Sequence, residues 1–465
     1  MFLNIDKHPS NHLAAIEDYG ASITYGELCI FVQEIGQIIP PRSFIFILAE
    51  NSIGSLCGYM GALSNKIVPI ILSAHMDQQA LNKLYHLYQP EYIWLPESLT
   101  LEFNLQTIWK KMDFHLQKTR FGNKQMYEEL SLLLPTSGST GSSKLVRHSY
   151  RNIEKNACNV ATFFNLTQNE RPLVTLPMHY TMGLSVIASH LLVGATLLMM
   201  KGDLLDPMFW NFVREQQATS FTGVPFSFEI LKKIRFFRMD LPHLKLITQG
   251  GGKMSNELFR NCAEYAVQTG KKFIATYGQT EGTARMTYLP PQLATHKTSS
   301  IGRAIPEGKI ILIDSQGKEI QKMEAEGEMV YMGPNVTLGY AIHPNDLSKE
   351  DENQGILHTG DMVRRDVDGC LYIIGRLGRF LKLFGFRVGL DECEQLVRSK
   401  FQTECACVGD DNGMKIFITD CTYKEEIPLF LSHKTNIIPS VFSVKVLDKI
   451  PRNEAGKTAY SQLTN

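Results

Sequence analysis

Short, wholly apolar runs separated by helix-length stretches dominate the first half of the chain. Phe44-Ile45-Phe46-Ile47-Leu48 and Ile67-Val68-Pro69-Ile70-Ile71-Leu72 are bounded by turn residues, and residues 51–63 between them have helical length. Runs without polar alternation suit strands buried on both faces. Strand, helix, strand at this spacing predicts parallel pairing under covering helices. The rhythm recurs at residues 173–200, 220–224, 244–248 and 273–276. Together these stretches predict an open α/β architecture of doubly wound sheets.

One stretch is apolar enough to raise the question of a membrane span, since no Asp, Glu, Lys or Arg occurs between Arg171 and Lys201. Pro177, His179, Tyr180, Ser185, Ser189, His190 and Gly194 interrupt it, whereas a spanning helix needs about 20 predominantly apolar residues. It predicts instead a strand (173–176), a loop, a buried helix (182–193) and a second strand (196–200). From about Lys309 the texture changes. Residues 309–314, 327–331 and 370–374 are short strands joined by Gly/Asp turns, which predicts an antiparallel, β-barrel-like subdomain. Residues 345–355 are polar and read as a solvated loop. After Gly375 come a Gly/Arg-rich connector, a helix over 390–400 and strands at 415–419 and 442–446. The division expected is a large domain over 1–376 and a small α+β C-terminal domain over 377–465.

Composition narrows the class. The 465 residues carry 47 Lys+Arg and 47 Asp+Glu, so net charge offers no argument for nucleic acid or an anionic membrane surface as partner. With 44% hydrophobic and 20% charged residues, disorder is excluded as the main state. Nine scattered cysteines, an odd number, make no disulfide framework. Cys405, Cys407 and Cys421 lack a zinc-ligand spacing, so reduced, mostly buried thiols are expected. The N-terminal residues lack the apolar core of a signal peptide, and the expected location is the cytoplasm.

Chemistry-bearing residues concentrate in a few segments. In Leu134-Pro135-Thr136-Ser137-Gly138-Ser139-Thr140-Gly141-Ser142-Ser143-Lys144 an apolar run enters small residues with hydroxyls, two glycines and a lysine. Backbone amides turned outward at the glycines, hydroxyl donors and a mobile cation suit a polyphosphate. The loop is not a Walker A loop, which would need glycine at Ser143 and a hydroxyl at Leu145. Tyr277-Gly278-Gln279-Thr280-Glu281 follows the strand 273–276, and ligands of open parallel sheets gather at such strand ends. There a Thr can donate to a phosphate, a Glu can hold a divalent ion and a Tyr can lie against a flat base. Gln249-Gly250-Gly251-Gly252 lets a planar ring approach the backbone. His358-Thr359-Gly360-Asp361 supplies a carboxylate whose two oxygens match a ribose diol. Pro451-Arg452-Asn453-Glu454-Ala455-Gly456-Lys457 sets a lysine on a glycine-containing turn.

In this order the segments resemble the adenylate-forming superfamily: acyl-CoA synthetases, adenylation domains of peptide synthetases, and luciferases. The resemblance runs from Thr24-Tyr25-Gly26-Glu27-Leu28 to Lys457 and includes Gly375-Arg376 with Lys382, Gly385 and Arg387. It implies that a carboxylate attacks the α-phosphate of ATP, giving an acyl-adenylate and pyrophosphate, and that a thiol then displaces AMP. Carried onto this chain, Thr136, Ser137, Gly138, Ser139, Thr140, Gly141 and Lys144 would cradle the β- and γ-phosphates. Gly250, Gly251, Gly252 and Tyr277 would hold adenine, Thr280 would contact the α-phosphate and Glu281 would ligate Mg²⁺. Asp361 with Arg376 would bind the ribose, and Lys457 would reach the α-phosphate from a mobile small domain. That domain would turn about residues 377–379 and exchange Lys457 for the face carrying Lys382, Gly385 and Arg387, where Gly385 leaves room for a pantetheine arm. The family's usual acidic hinge residue is replaced by Gly378 followed by Arg379. Ser143, Leu145 and Tyr460 are smaller departures.

Amino-acid-activating members place an Asp shortly after the aromatic of the segment aligned with Pro177-Met178-His179-Tyr180. Here Thr181-Met182-Gly183-Leu184-Ser185 follows. An α-ammonium among these residues would lack a partner, which favours a fatty or other non-amino acid. His179-x3-Gly183 is more similar to acyl-CoA synthetases, in which this region borders the acyl tunnel; the plainer reading of His179 is a buried, hydrogen-bonded core histidine. The chain ends soon after Lys457, so the thiol is expected from outside, as CoA or the phosphopantetheine of a separate acyl carrier protein. The alternative is a stand-alone adenylation enzyme that loads an amino acid or aryl acid onto a carrier protein.

Overall fold

The computed structural model describes residues 1–103, 105–135, 144–377, 379–383, 386–410, 412–435, 437–454 and 456–463, with the backbone alone at Phe380, Lys382, Phe386 and Arg387. Two large sheets carry the fold. In the first, the parallel strands Leu130–Pro135, Val68–Ser73, Phe44–Ala49 and Tyr92–Pro96 lie side by side, with Leu145–Ser149 and Phe114–Lys118 antiparallel at the flanks. Phe44–Ala49 and Val68–Ser73 are buried at every position. Burial on both faces is why these runs do not alternate in polarity.

The second sheet holds the parallel strands Leu13–Glu17, Leu197–Met199, Pro172–Val174, Ser220–Gly223, Leu246–Gln249 and Lys272–Tyr277. Residues 171–201 resolve as the interruptions predict, into two short strands around the helix Thr181–Leu192, which is buried almost all round. Among the described residues no helix is long and apolar enough to cross a membrane. Thr24 starts the helix Tyr25–Ile38. Its side chain accepts from the Glu27 amide while the Glu27 carboxylate accepts from the Thr24 amide. Thr24-Tyr25-Gly26-Glu27 is therefore a capping box, a helix start written into the sequence.

Lys309–Ile313, Ala325–Met332, Ile356–Arg365 and Leu371–Arg376 pair antiparallel in that spatial order. The strand order is linear, so this part of the molecule is an open four-stranded sheet and not a closed barrel. Gly339–Ala341 leaves it to join the first large sheet beside Leu145–Ser149. Residues 345–355 are not simply solvated. They contain a 3-10 helix, Pro344–Ser348, and they are held by Arg147. That side chain is fully buried, donates to the carbonyls of Leu338, Tyr340, Lys349 and Glu350, and pairs with Glu352 at 2.6 Å. A buried guanidinium is tolerable only when its donors and its charge are met in this way.

The C-terminal part pairs Phe380–Leu383 with Phe386–Gly389, continues through the helix Leu390–Phe401, and forms a three-stranded sheet of Cys405–Asp410, Gly413–Ile418 and Phe442–Val446. One core cluster there, including Val397, Ile416 and Leu431, is buried within residues 381–442, and a second joins Ala406 and Phe417 to Ile450 and Leu463. Every cysteine is a free thiol, with Cys158 and Cys421 exposed and Cys29 half-buried. Replacing Arg147 by Leu leaves several carbonyls without their donor. The expected loss is about 2–4 kcal/mol in urea unfolding, with Arg147→Lys losing less; an unchanged midpoint would show that Arg147 does not anchor residues 345–355.

Candidate active site

The candidate residues gather where parallel strands of the second sheet end. Leu246–Gln249 runs into Gly250-Gly251-Gly252, and Lys272–Tyr277 runs into Gly278-Gln279-Thr280-Glu281. The Gln249 side-chain amide donates to the Gly252 carbonyl at 2.7 Å and so sets the glycine turn. A methyl group at Gly250 would stand 2.8 Å from Met182 Sδ, and one at Gly251 3.8 Å from Lys457 Cε. The turn thus faces both the helix Thr181–Leu192 and the lysine near the C-terminus.

Gly278 is required by a fold-back of the chain: a Cβ there would lie 1.4 Å from the Ala284 carbonyl oxygen. The Ala284 amide donates to the Gln279 carbonyl at 3.1 Å, and the Met286 amide to the Tyr277 carbonyl at 2.8 Å. Thr283 and Ala284 take φ of 49° and 76°, a conformation that costs side-chain-bearing residues about 1–3 kcal/mol each. This strained turn fixes the residues before it. Thr280 Oγ1 accepts from Thr181 Oγ1 at 3.0 Å. Glu281 Oε1 accepts from the Tyr340 hydroxyl at 2.8 Å, and the Lys144 ammonium lies 3.5 Å from the centroid of the same ring. Through this cation–π contact, Tyr340 links the lysine of the phosphate-loop motif to the candidate metal ligand.

Asp361 is buried, 3% exposed. Its Oδ2 accepts from the Tyr277 hydroxyl and from Gln279 Nε2 at 2.8 Å, and its Oδ1 accepts from Arg376 Nε at 2.7 Å. Burial, reinforced by Asp361, raises the Tyr277 pKa well above its ordinary value, so this hydroxyl stays a donor. The carboxylate is aimed rather than free, and a diol would bind to its remaining lone pairs. Lys457 sits on a turn closed by bonds from the Asn453 amide to the Lys457 carbonyl (2.8 Å) and from the Lys457 amide to Asn453 Oδ1 (3.0 Å). Burial lowers the Lys457 pKa from the usual lysine range. Arg376 acts in the same direction, and Glu281 and Asp361 oppose it. The ammonium therefore lies within electrostatic reach of the carboxylates assigned to metal and ribose.

His179 is 7% exposed, and its Nε2 stands 2.9 Å from Glu454 Oε2, on the turn that carries Lys457. The plainer reading of this residue describes it: His179 is buried and hydrogen-bonded. A Cβ at Gly183 would come within 2.3 Å of the Pro177 carbonyl oxygen, so the His179-x3-Gly183 spacing reflects a helix that docks tightly on the loop before it. Two departures from the family pattern answer each other. Arg379 pairs with Asp391 and Glu394, each at 2.7 Å, and its guanidinium carbon lies 3.8 Å from the Tyr460 ring centroid; Tyr460 in turn donates to Glu394 at 3.0 Å. Thr136, Ser137, Gly138, Ser139, Thr140, Gly141, Gly378 and Gly385 lie outside the described residues, as do the side chains of Lys382 and Arg387.

Among the described residues no cluster of three or more His, Cys, Asp or Glu is placed to hold a metal. Glu281 and the Thr280 hydroxyl are hard oxygen donors, a set that fits Mg²⁺ bound mainly through a nucleotide's phosphates and water. Tyr340, Gln279, Thr181 and Glu454 belong to the site without having been assigned a role from sequence. Gln279 and Glu454 lay inside motifs that already marked it, whereas Tyr340 carries no local signal at all.

The family model for the AMP-binding enzyme matches residues 2–341. The chain is 27% identical over 302 residues to the oxalate–CoA ligase of Arabidopsis thaliana, covering 64% of this chain and 56% of that protein. It is 28% identical over 352 residues to a long-chain-fatty-acid–CoA ligase of Salmonella typhimurium, covering 72% and 61%. The matches thus span less than two thirds of these curated relatives' length. In fold it resembles O-succinylbenzoate coenzyme A synthetase from Bacillus subtilis in complex with AMP, with a TM-score of 0.81 at 19% identity over 100% of this chain and 98% of that one. Asp361→Asn removes the charge that receives Tyr277, Gln279 and Arg376, and is expected to weaken binding of a fluorescent AMP analogue at least about tenfold; unaltered affinity would remove Asp361 from the nucleotide site. With its motifs in family order and the model matched across most of its length, the chain belongs to the AMP-binding enzyme family.

Proposed function

We propose that the protein is an ATP-dependent, AMP-forming acid–thiol ligase. It activates a fatty or other non-amino carboxylic acid as the acyl-adenylate and passes the acyl group to CoA or to the phosphopantetheine of a separate acyl carrier protein. The observation that carries this reading is the seating of Lys457 against the glycine turn of the large domain, in the field of Glu281, Asp361 and Arg376. The names of curated relatives, CoA ligases for oxalate and long-chain fatty acids, support acid–thiol chemistry but differ too widely in substrate to choose the acid.

In the first half-reaction a carboxylate oxygen forms a bond to the α-phosphorus while the bond to the bridging oxygen breaks, and pyrophosphate leaves with the electron pair. Lys457 faces the charge that develops on the non-bridging oxygens, and Thr280, oriented by Thr181, donates beside it. Preorganised donors of this kind are worth roughly 10²–10³ in rate each. Mg²⁺, when bound, neutralises phosphate charge, and Glu281 is the residue that would hold it. In the second half-reaction residues 377–465 turn as a unit, and the thiol sulfur displaces AMP. A non-amino acid is the favoured substrate because Thr181-Met182-Gly183-Leu184-Ser185, at the start of the helix Thr181–Leu192, offer an α-ammonium no carboxylate partner. Free thiols throughout and a need for ATP fit a cytoplasmic enzyme.

Lys457→Ala is expected to lower acid-dependent ATP–pyrophosphate exchange at least about 100-fold and to leave nucleotide affinity within about threefold. Exchange at the parental rate would overturn the assignment. The same assay over acids of varied length and polarity, with CoA and with carrier proteins as acceptors, identifies substrate and thiol.

A further inference from the structure

The turn that carries Lys457 is gripped on two sides by the large domain. On one side Arg452 lies 4.8 Å from the Phe226 ring centroid and 3.8 Å from Glu229, while also pairing with Glu404 of its own domain at 3.2 Å. On the other side Glu454, three residues before Lys457, reaches elements of both large sheets. Its Oε2 meets His179 Nε2 at 2.9 Å, just before the helix Thr181–Leu192. Its Oε1 accepts from Ser73 Oγ at 3.3 Å, at the end of the strand Val68–Ser73.

We propose that Glu454 is a positioning residue: its carboxylate docks the Lys457 turn by pairing with His179 and Ser73, and so holds the two domains in the arrangement that performs the first half-reaction. The inference rests on the acid–thiol ligase reading for its consequence, though not for its geometry. The hydrogen bond with His179 is the main influence that lowers the Glu454 pKa from the usual carboxylate range, the mark of a charge-assisted contact. Glu454 is about half exposed while His179 is nearly closed off from solvent. The pair therefore has a defined docked state and a cheap undocked one, in which Glu454 returns to water. Turning the small domain to present residues 382–387 parts the pair. A contact made in one state and absent from the other shifts the balance between the two by its own free energy. Nothing in the contact touches the reacting atoms, so its loss acts through Lys457.

The test uses the whole chain with octanoate, succinate and benzoate as probe acids and CoA as acceptor. Glu454→Gln and His179→Gln should each lower the kcat of ATP–pyrophosphate exchange about fivefold to tenfold, with KM for ATP within about twofold. Single-turnover transfer from the preformed adenylate should be unslowed. The double variant should be no worse than the weaker single variant, because both remove one interaction. Amide hydrogen exchange over residues 451–459 should quicken in Glu454→Gln and stay unchanged in the large domain away from His179. Parental protection of residues 451–459 overturns the proposal, as do equal losses in both half-reactions or fully multiplicative single effects. If the unmutated protein exchanges with no acid in the wider screen of varied length and polarity, the ligase reading fails while the protection data still decide whether Glu454 docks the turn.

Discussion

The Lys457 ammonium, set beside the glycine turn at residues 250–252, is the group that gives the rest of the arrangement its meaning. Burial and the nearby Arg376 work against the positive charge of Lys457, and Glu281 and Asp361 support it. A cation under such tension is poised for added negative charge, because bringing phosphates into a low-dielectric site strengthens every favourable pairing there. Glycine is needed in the turn beside it for the backbone's sake, since Gly251 takes φ of 77° and a Cβ there would stand 3.2 Å from Val224 Cγ1.

The supporting structure reads as a series of devices that hold a few oxygens in place. The fold-back after Gly278 stores strain at Thr283 and Ala284 and fixes Thr280 and Glu281. Arg147, on the other large sheet, donates to the carbonyl of Tyr340, and Tyr340 in turn donates to Glu281. The two sheets thus meet at one carboxylate. Asp361 is aimed by three donors from Tyr277, Gln279 and Arg376, so its orientation does not wait for ligand. Rigid placement of this kind is what electrostatic catalysis requires, since groups that must reorganise lose much of their effect.

What was legible in the sequence was local. Strands such as Phe44–Ala49 announce themselves because burial on both faces demands unbroken apolar runs. The interruptions in residues 171–201 distinguished a buried helix from a membrane span for the same reason. Features made by distant partners were not legible. Residues 345–355 look like a polar loop until Arg147, some two hundred positions earlier, is seen to hold them. Tyr340 has no motif around it, and its importance comes wholly from Lys144 and Glu281. The antiparallel region read as barrel-like because short strands and turns cannot reveal whether the first and last strands pair. Glu454 lay in plain sight inside the Lys457 motif, but its partner His179 is far away in the chain.

In the proposed reaction a carboxylate oxygen attacks the α-phosphorus of ATP. The most direct measurement follows that oxygen, using an acid labelled with 18O in its carboxyl group, ATP, Mg²⁺ and CoA, and mass analysis of the products. Attack by the carboxylate puts heavy oxygen in AMP and none in pyrophosphate, since cleavage by the thiol leaves the bridging oxygen on phosphorus. Label in pyrophosphate or inorganic phosphate, or unlabelled AMP alongside thioester, would contradict it.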